Sequence, residues 1–136
     1  MTGPQPRRRA AAWTNAAPDH EGALTAADRV FVTAHPAEPT TSVLMRAGAA
    51  ALTSYVDGGA PRVAIDPLYR LFARHLGERL PDDRAGTLHA AVMAAAVTAA
   101  LDLALTEWHA AGATADGAAA CRERFRSVAP LLPPEP

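Results

Sequence analysis

No lysine occurs in this chain, cysteine occurs once, and aromatic residues make up only 5% of it. Each scarcity excludes something. The single cysteine, Cys121, rules out an internal disulfide framework and a cysteine-built zinc site, and it suits a reducing cytosol. Without lysine, arginine is the only permanent side-chain cation; together with abundant alanine and proline this is the composition of a GC-rich coding sequence rather than a chemical requirement. A net charge of -1 over 136 residues sets up no field that would draw nucleic acid or an anionic membrane. With few aromatics and much alanine, an average apolar residue contributes little buried area. What alanine offers instead is close approach between helices.

Strand and site patterns are missing too. No segment alternates apolar and polar residues over strand length; Arg62 to Ile65 comes nearest and is too short to build a sheet. There is no Gly-x-Ser-x-Gly elbow and no glycine-rich phosphate loop. On the longest helical stretch Asp102 and His109 share a polar strip, but seven residues separate them, about 10 Å along a helix, too far to hold one metal ion. His89 and Asp102 point different ways. Nothing supports catalysis, a metal or a cofactor, and the expectation is a protein that is not an enzyme. After Arg7, Arg8 and Arg9 the apolar run lasts only from Ala10 to Trp13, so an export signal is not supported.

What is present is one dominant element. From Asp82 to Gly112 the chain runs without proline and is rich in alanine, which predicts a helix of about seven to eight turns. At ~100° per residue it carries two apolar stripes. Leu88, Val92, Ala95, Ala99 and Leu103 form one; Ala90, Met93, Val97, Leu101, Ala104 and Trp108 form the other, roughly opposite. A surface helix needs one apolar stripe for its own core. Two stripes call for two covers, and in a chain this short a second subunit is the economical source of one. Leu88 to Leu105 is also long enough for a membrane span, but it is mostly alanine and carries His89 and Asp102, so a soluble, buried helix is the expected form and no membrane partner is expected.

In chain order, residues 1–24 hold three prolines, two glycines and no periodicity, and read as a disordered tail. Thr25 and Asp28 give a capping signature for a short helix ending at His35-Pro36. Thr40 or Thr41 caps a second helix, which Asp57-Gly58-Gly59 stops. Asp66-Pro67 opens a third with Leu68, Leu71, Phe72, His75 and Leu76 on one face. Asp82 or Asp83 caps the long helix, and Thr114 or Asp116 starts the last, with Ala118, Cys121, Phe125, Val128 and Leu132 as its stripe. The fold expected is all-α, with about five helices. Cys121 reads as packing, with a redox thiol as the alternative. His75 is either a core histidine satisfied by a neighbour or a ligand-binding group.

From about Arg29 to Leu132 the chain resembles the C-terminal half of a TetR-family transcriptional regulator. The resemblance rests on Phe31-Val32-Thr33-Ala34-His35-Pro36, on Leu76-Gly77-Glu78-Arg79-Leu80-Pro81-Asp82-Asp83, and on the long run Leu88 to Leu105 ending in Glu107-Trp108 before a glycine-bearing turn. It implies that the last two long helices pair with those of a second subunit as an antiparallel bundle, while the preceding helices enclose a small-molecule pocket. On that footing residues 25–132 form a ligand-binding and dimerisation domain. The pocket falls among Leu52, Tyr55, Leu68, Phe72, His75, Val92 and Met93, and the dimer interface on Val97, Leu101, Trp108, Phe125 and Val128. The chain departs from the family where a helix-turn-helix domain would stand: that length is the proline-rich tail. Leu68-Tyr69-Arg70-Leu71-Phe72 does not replace it, because Arg62-Val63-Ala64-Ile65 precedes it instead of a glycine turn. The expected role is therefore regulatory and cytoplasmic, as a homodimer or a heterodimer with a full-length relative, sensing a small apolar ligand and not binding DNA itself. The competing reading is a helical interaction or structural protein with no pocket.

Overall fold

The computed structural model describes residues 17–134, which form five α-helices and a closing 3-10 turn, with no strand among the described residues. The helices are α1 (Ala17–Thr33), α2 (Thr40–Gly58), α3 (Ile65–Arg79), α4 (Arg84–Ala110) and α5 (Ala115–Arg126); the turn is Ala129–Leu131. α1 lies along α2, α3 along α4, and α5 against both α4 and α2, so α2 and α4 form the middle of the bundle. The all-α architecture is as the sequence implies. The last two helices are not both long: α4 has 27 residues and α5 only 12.

Local chemistry explains most of the boundaries. Asp83 caps α4, its carboxylate accepting from the Gly86 amide at 2.7 Å, and Thr114 caps α5 by accepting from the Gly117 amide at 3.0 Å. Gly86 is required by close approach, since a Cβ there would run into the Pro81 carbonyl. Gly59 ends α2 in the left-handed region at φ 70°, its amide reaching back to the Tyr55 and Val56 carbonyls. α3 begins at Ile65, so Asp66 and Pro67 lie inside its first turn and no side chain caps it; the Ala64 amide donates to the Tyr55 hydroxyl at 2.9 Å.

The start of α1 differs from expectation. Residues 17–24, read as tail, are helical, and Thr25 and Asp28 sit inside the helix rather than at its cap. Pro18 does not break α1 because it lies in the first turn, where a missing N–H has no helical partner to lose. The rest of that tail, residues 1–16 with Arg7 to Arg9, lies outside the described residues.

The core runs the length of the bundle. Leu44, Leu52, Tyr55, Leu68, Phe72, Leu76, Met93, Leu101, Leu105 and Phe125 are all fully shielded from solvent. Large side chains buried this way each stabilise by roughly 1.5–3 kcal/mol. Small residues let the helices close up: a Cβ on Gly48 of α2 would stand 2.5 Å from the Phe125 ring and 3.0 Å from Val97. Gly48 is thus the point where α2, α4 and α5 meet.

Candidate functional site

Most polar side chains inside the bundle are partnered by the fold itself; among the described residues Arg79 Nε and His89 Nε2 are buried without a hydrogen-bond partner. His75 Nε2 lies 2.7 Å from Asp28 Oδ1 and its Nδ1 lies 3.4 Å from Glu78 Oε1, while the ring stacks on Phe31 at 4.6 Å. Asp28, inside α1 rather than at its cap, is what anchors α1 to α3 here. These contacts hold the His75 ring between α1 and α3, with its side chain 12% exposed. The Tyr55 hydroxyl accepts from the Ala64 amide and lies 3.2 Å from His20 Nδ1. His109 Nε2 donates to the Ala60 carbonyl at 2.7 Å and ties the end of α4 to the α2–α3 loop. Arg79 Nη2 donates to the Glu38 carbonyl at 2.6 Å, joining the Leu76–Asp83 segment to the loop after His35-Pro36. Cys121 is buried, its Sγ 3.4 Å from the Ala104 carbonyl, and burial pushes the thiol up from its ordinary pKa. Such a thiol is a packing group and a poor nucleophile. Among the described residues no group of three or more His, Cys, Asp and Glu side chains is arranged to hold a metal ion.

Most of the residues that the resemblance places around a ligand pocket are packed in the core. Leu52, Tyr55, Leu68, Phe72 and Met93 are fully buried members of one continuous core, and His75 is held by Asp28. Val92 faces the other way and is 53% exposed. The residues assigned to the dimer interface are likewise core. Val97, Leu101 and Phe125 are fully shielded within the single chain, Trp108 and Val128 nearly so, and the Trp108 indole N–H donates to the Thr114 carbonyl at 2.8 Å. The second stripe of α4 is therefore packed within the same chain, whose α2, α3 and α5 all contact α4, and these residues lie in its core.

The stripe left open is the other one. Leu88, Val92 and Leu103 are 57%, 53% and 60% exposed, and Ala95 and Ala99 between them are exposed as well. Scattered exposed apolar residues are ordinary, but a continuous apolar row along one helix is not. A groove of about 410 Å³ runs beside the C-terminal half of this row, between α4 and the chain after α5. Its lining includes Ala96, Ala99, Ala100, Leu103, Val128 and Leu131, with Leu131 79% exposed. At one end the Arg124 guanidinium stands 3.6 Å from the Glu107 carboxylate. Two smaller concavities flank α5 and α4: one of about 320 Å³ at Met45, Arg46 and Phe125, and one of about 260 Å³ at Tyr69, Thr98 and Asp102. None of the three is lined by a residue assigned to the pocket, and the first and third border the open α4 face at Ala99.

Comparison with known proteins finds no family model, no curated protein and no solved structure that matches this chain.

Proposed function

We propose that this chain is a helical self-association module whose outer α4 face is the contact surface, acting in regulation and not as an enzyme. The observation that carries the reading is the uncovered row Leu88, Val92, Ala95, Ala99 and Leu103 on a helix whose opposite face is already buried. Exposed apolar area of this kind is stabilised by removal from water at roughly 25 cal/mol per Å². The resemblance to TetR C-terminal domains points the same way, since pairing of the long helix between subunits is what that resemblance implies. The tightly filled core favours the form of this reading without an internal ligand pocket. No feature of the described residues favours direct DNA binding.

α4 is long and apolar enough, by length and composition, to cross a membrane, and 44% of that stretch is buried within the protein. A spanning α4 would carry the neighbouring α3, with Arg70, Arg74 and Glu78, into hydrocarbon. A water-soluble, cytoplasmic module with its α4 face covered by protein fits the charges better.

α4 is about 40 Å long, so a face of its length and one side-chain row in width gives an interface at the small end of the specific range. A dimer in the micromolar range is expected rather than an obligate one. Replacing Leu88 and Leu103 together by aspartate removes two burials per copy and should weaken association at least about a hundredfold. Helix content by circular dichroism should be unchanged, because both side chains are exposed in the single chain. Undiminished association of that variant in size-exclusion chromatography with light scattering would place the contact elsewhere.

A further inference from the structure

The groove between α4 and the chain after α5 has the size and character of a small-molecule site. Its volume of about 410 Å³ falls within the range of such sites, which are mostly apolar with a few polar groups. The buried Ala104 and Val128 and the exposed Leu103 and Leu131 supply apolar surface. Its polar side chains are Glu107, Arg124 and Ser127. The Ser127 hydroxyl is already spent on the Glu123 carbonyl at 3.1 Å. Glu107 and Arg124 are not spent. At 3.6 Å the guanidinium and carboxylate are too far apart for a hydrogen bond, and neither side chain makes one elsewhere among the described residues. A donor fork and an acceptor therefore stand side by side at one end of an apolar groove, each about half exposed.

We propose that this groove binds a linear aliphatic amide. The alkyl chain lies along Ala96, Ala100 and Leu103, and the amide head meets Arg124 and Glu107. Its carbonyl accepts from the guanidinium, and its N–H groups donate to the carboxylate. The pair of charges is what selects this head group. A carboxylate head would gain Arg124 but meet the like charge of Glu107. An ammonium head would gain Glu107 but meet Arg124. A neutral amide uses both without repulsion, and a head group that neither donates nor accepts uses neither. The inference goes beyond the self-association reading and does not depend on it, because every residue of the groove belongs to one chain.

NMR titration of the isotope-labelled full chain with octanamide, octanoate and octylamine tests this, with the mass measured by light scattering in the same samples. Octanamide should move the backbone resonances of Ala100, Leu103, Ala104, Val128 and Leu131 and bind at least about tenfold tighter than either charged analogue. Hexanamide should bind about fifteenfold more weakly than octanamide, since each buried methylene is worth about fourfold. Ala99→Leu, at an exposed position in the lining, should keep its helix content and weaken octanamide at least about tenfold. Glu107→Gln should move the preference toward octanoate, and Arg124→Gln should move it toward octylamine. Absence of any shift up to the solubility limit of octanamide would overturn the inference. Shifts centred on Met45 or Tyr69, beside the smaller concavities, would overturn it too. Equal binding of the three probes would do the same, because an apolar surface without head-group recognition gives that result. Binding at the groove with these preferences supports the inference whether the chain is a monomer or a dimer, and a monomer removes the self-association reading alone.

Discussion

At the scale of single residues, close contact rather than chemistry decides what each side chain is for. Gly48 is where three helices meet, and a methyl group there has no room beside Phe125 and Val97. Gly48→Ala gains about 1 kcal/mol of helix propensity and loses about 1–3 kcal/mol to overpacking. A net fall in the midpoint of urea unfolding is expected; a rise would mean that Phe125 moves aside freely. Cys121 gives a test with a defined pH sense. Burial disfavours its thiolate, so the folded chain keeps the thiol protonated above the pH, about 8.5, at which an unfolded cysteine ionises. The unfolded state then binds fewer protons, and this group's contribution to stability declines as pH rises through that window. Alkylation by iodoacetamide at pH 9 should be slow in the native chain and fast in denaturant. Equal rates in the two states would show that Cys121 is accessible.

At the scale of elements, what was legible in the sequence was whatever depends on neighbours in sequence. The Asp83 and Thr114 caps, the Gly59 stop, the absence of strands and the length of α4 all follow from residues within one turn of each other. Contacts between distant segments were not legible. Asp28 looks like a cap until His75, 47 residues away, is known to lie 2.7 Å from it. Pro18 looks like a breaker until α1 is seen to begin beside it. The two stripes of α4 were both visible, but a helical wheel cannot tell which one the rest of the chain covers. Trp108 and Phe125 stand on the interface that the TetR resemblance implies. The indole N–H partner at Thr114 and the gap at Gly48 draw them inward instead. The turn between α4 and α5 offers a further check. Ala113 is held in the left-handed region at φ 52°, which costs a residue with a Cβ roughly 1–2 kcal/mol. Glycine relieves that strain but gives back part of it as unfolded-state entropy. Ala113→Gly should therefore raise stability by about 0.5–1 kcal/mol in thermal unfolding. A lower melting temperature would mean that the Ala113 methyl group packs more than its backbone suffers.

At the scale of the whole molecule, the bundle is complete on one side of α4 and unfinished on the other. α1, α2, α3 and α5 close a core from Phe31 to Leu132, and every large side chain on the inner α4 stripe is buried in it. Leu88, Val92 and Leu103 contribute nothing to that core. The proposed self-association would cover a face that does not serve the fold and is costly to leave in water. The most direct measurement is sedimentation equilibrium of the wild-type chain across the micromolar range. The account predicts a concentration-dependent mass approaching twice 14.2 kDa. A constant mass of 14.2 kDa with full helix content would contradict it, because the open α4 face would then be stable in water without a partner.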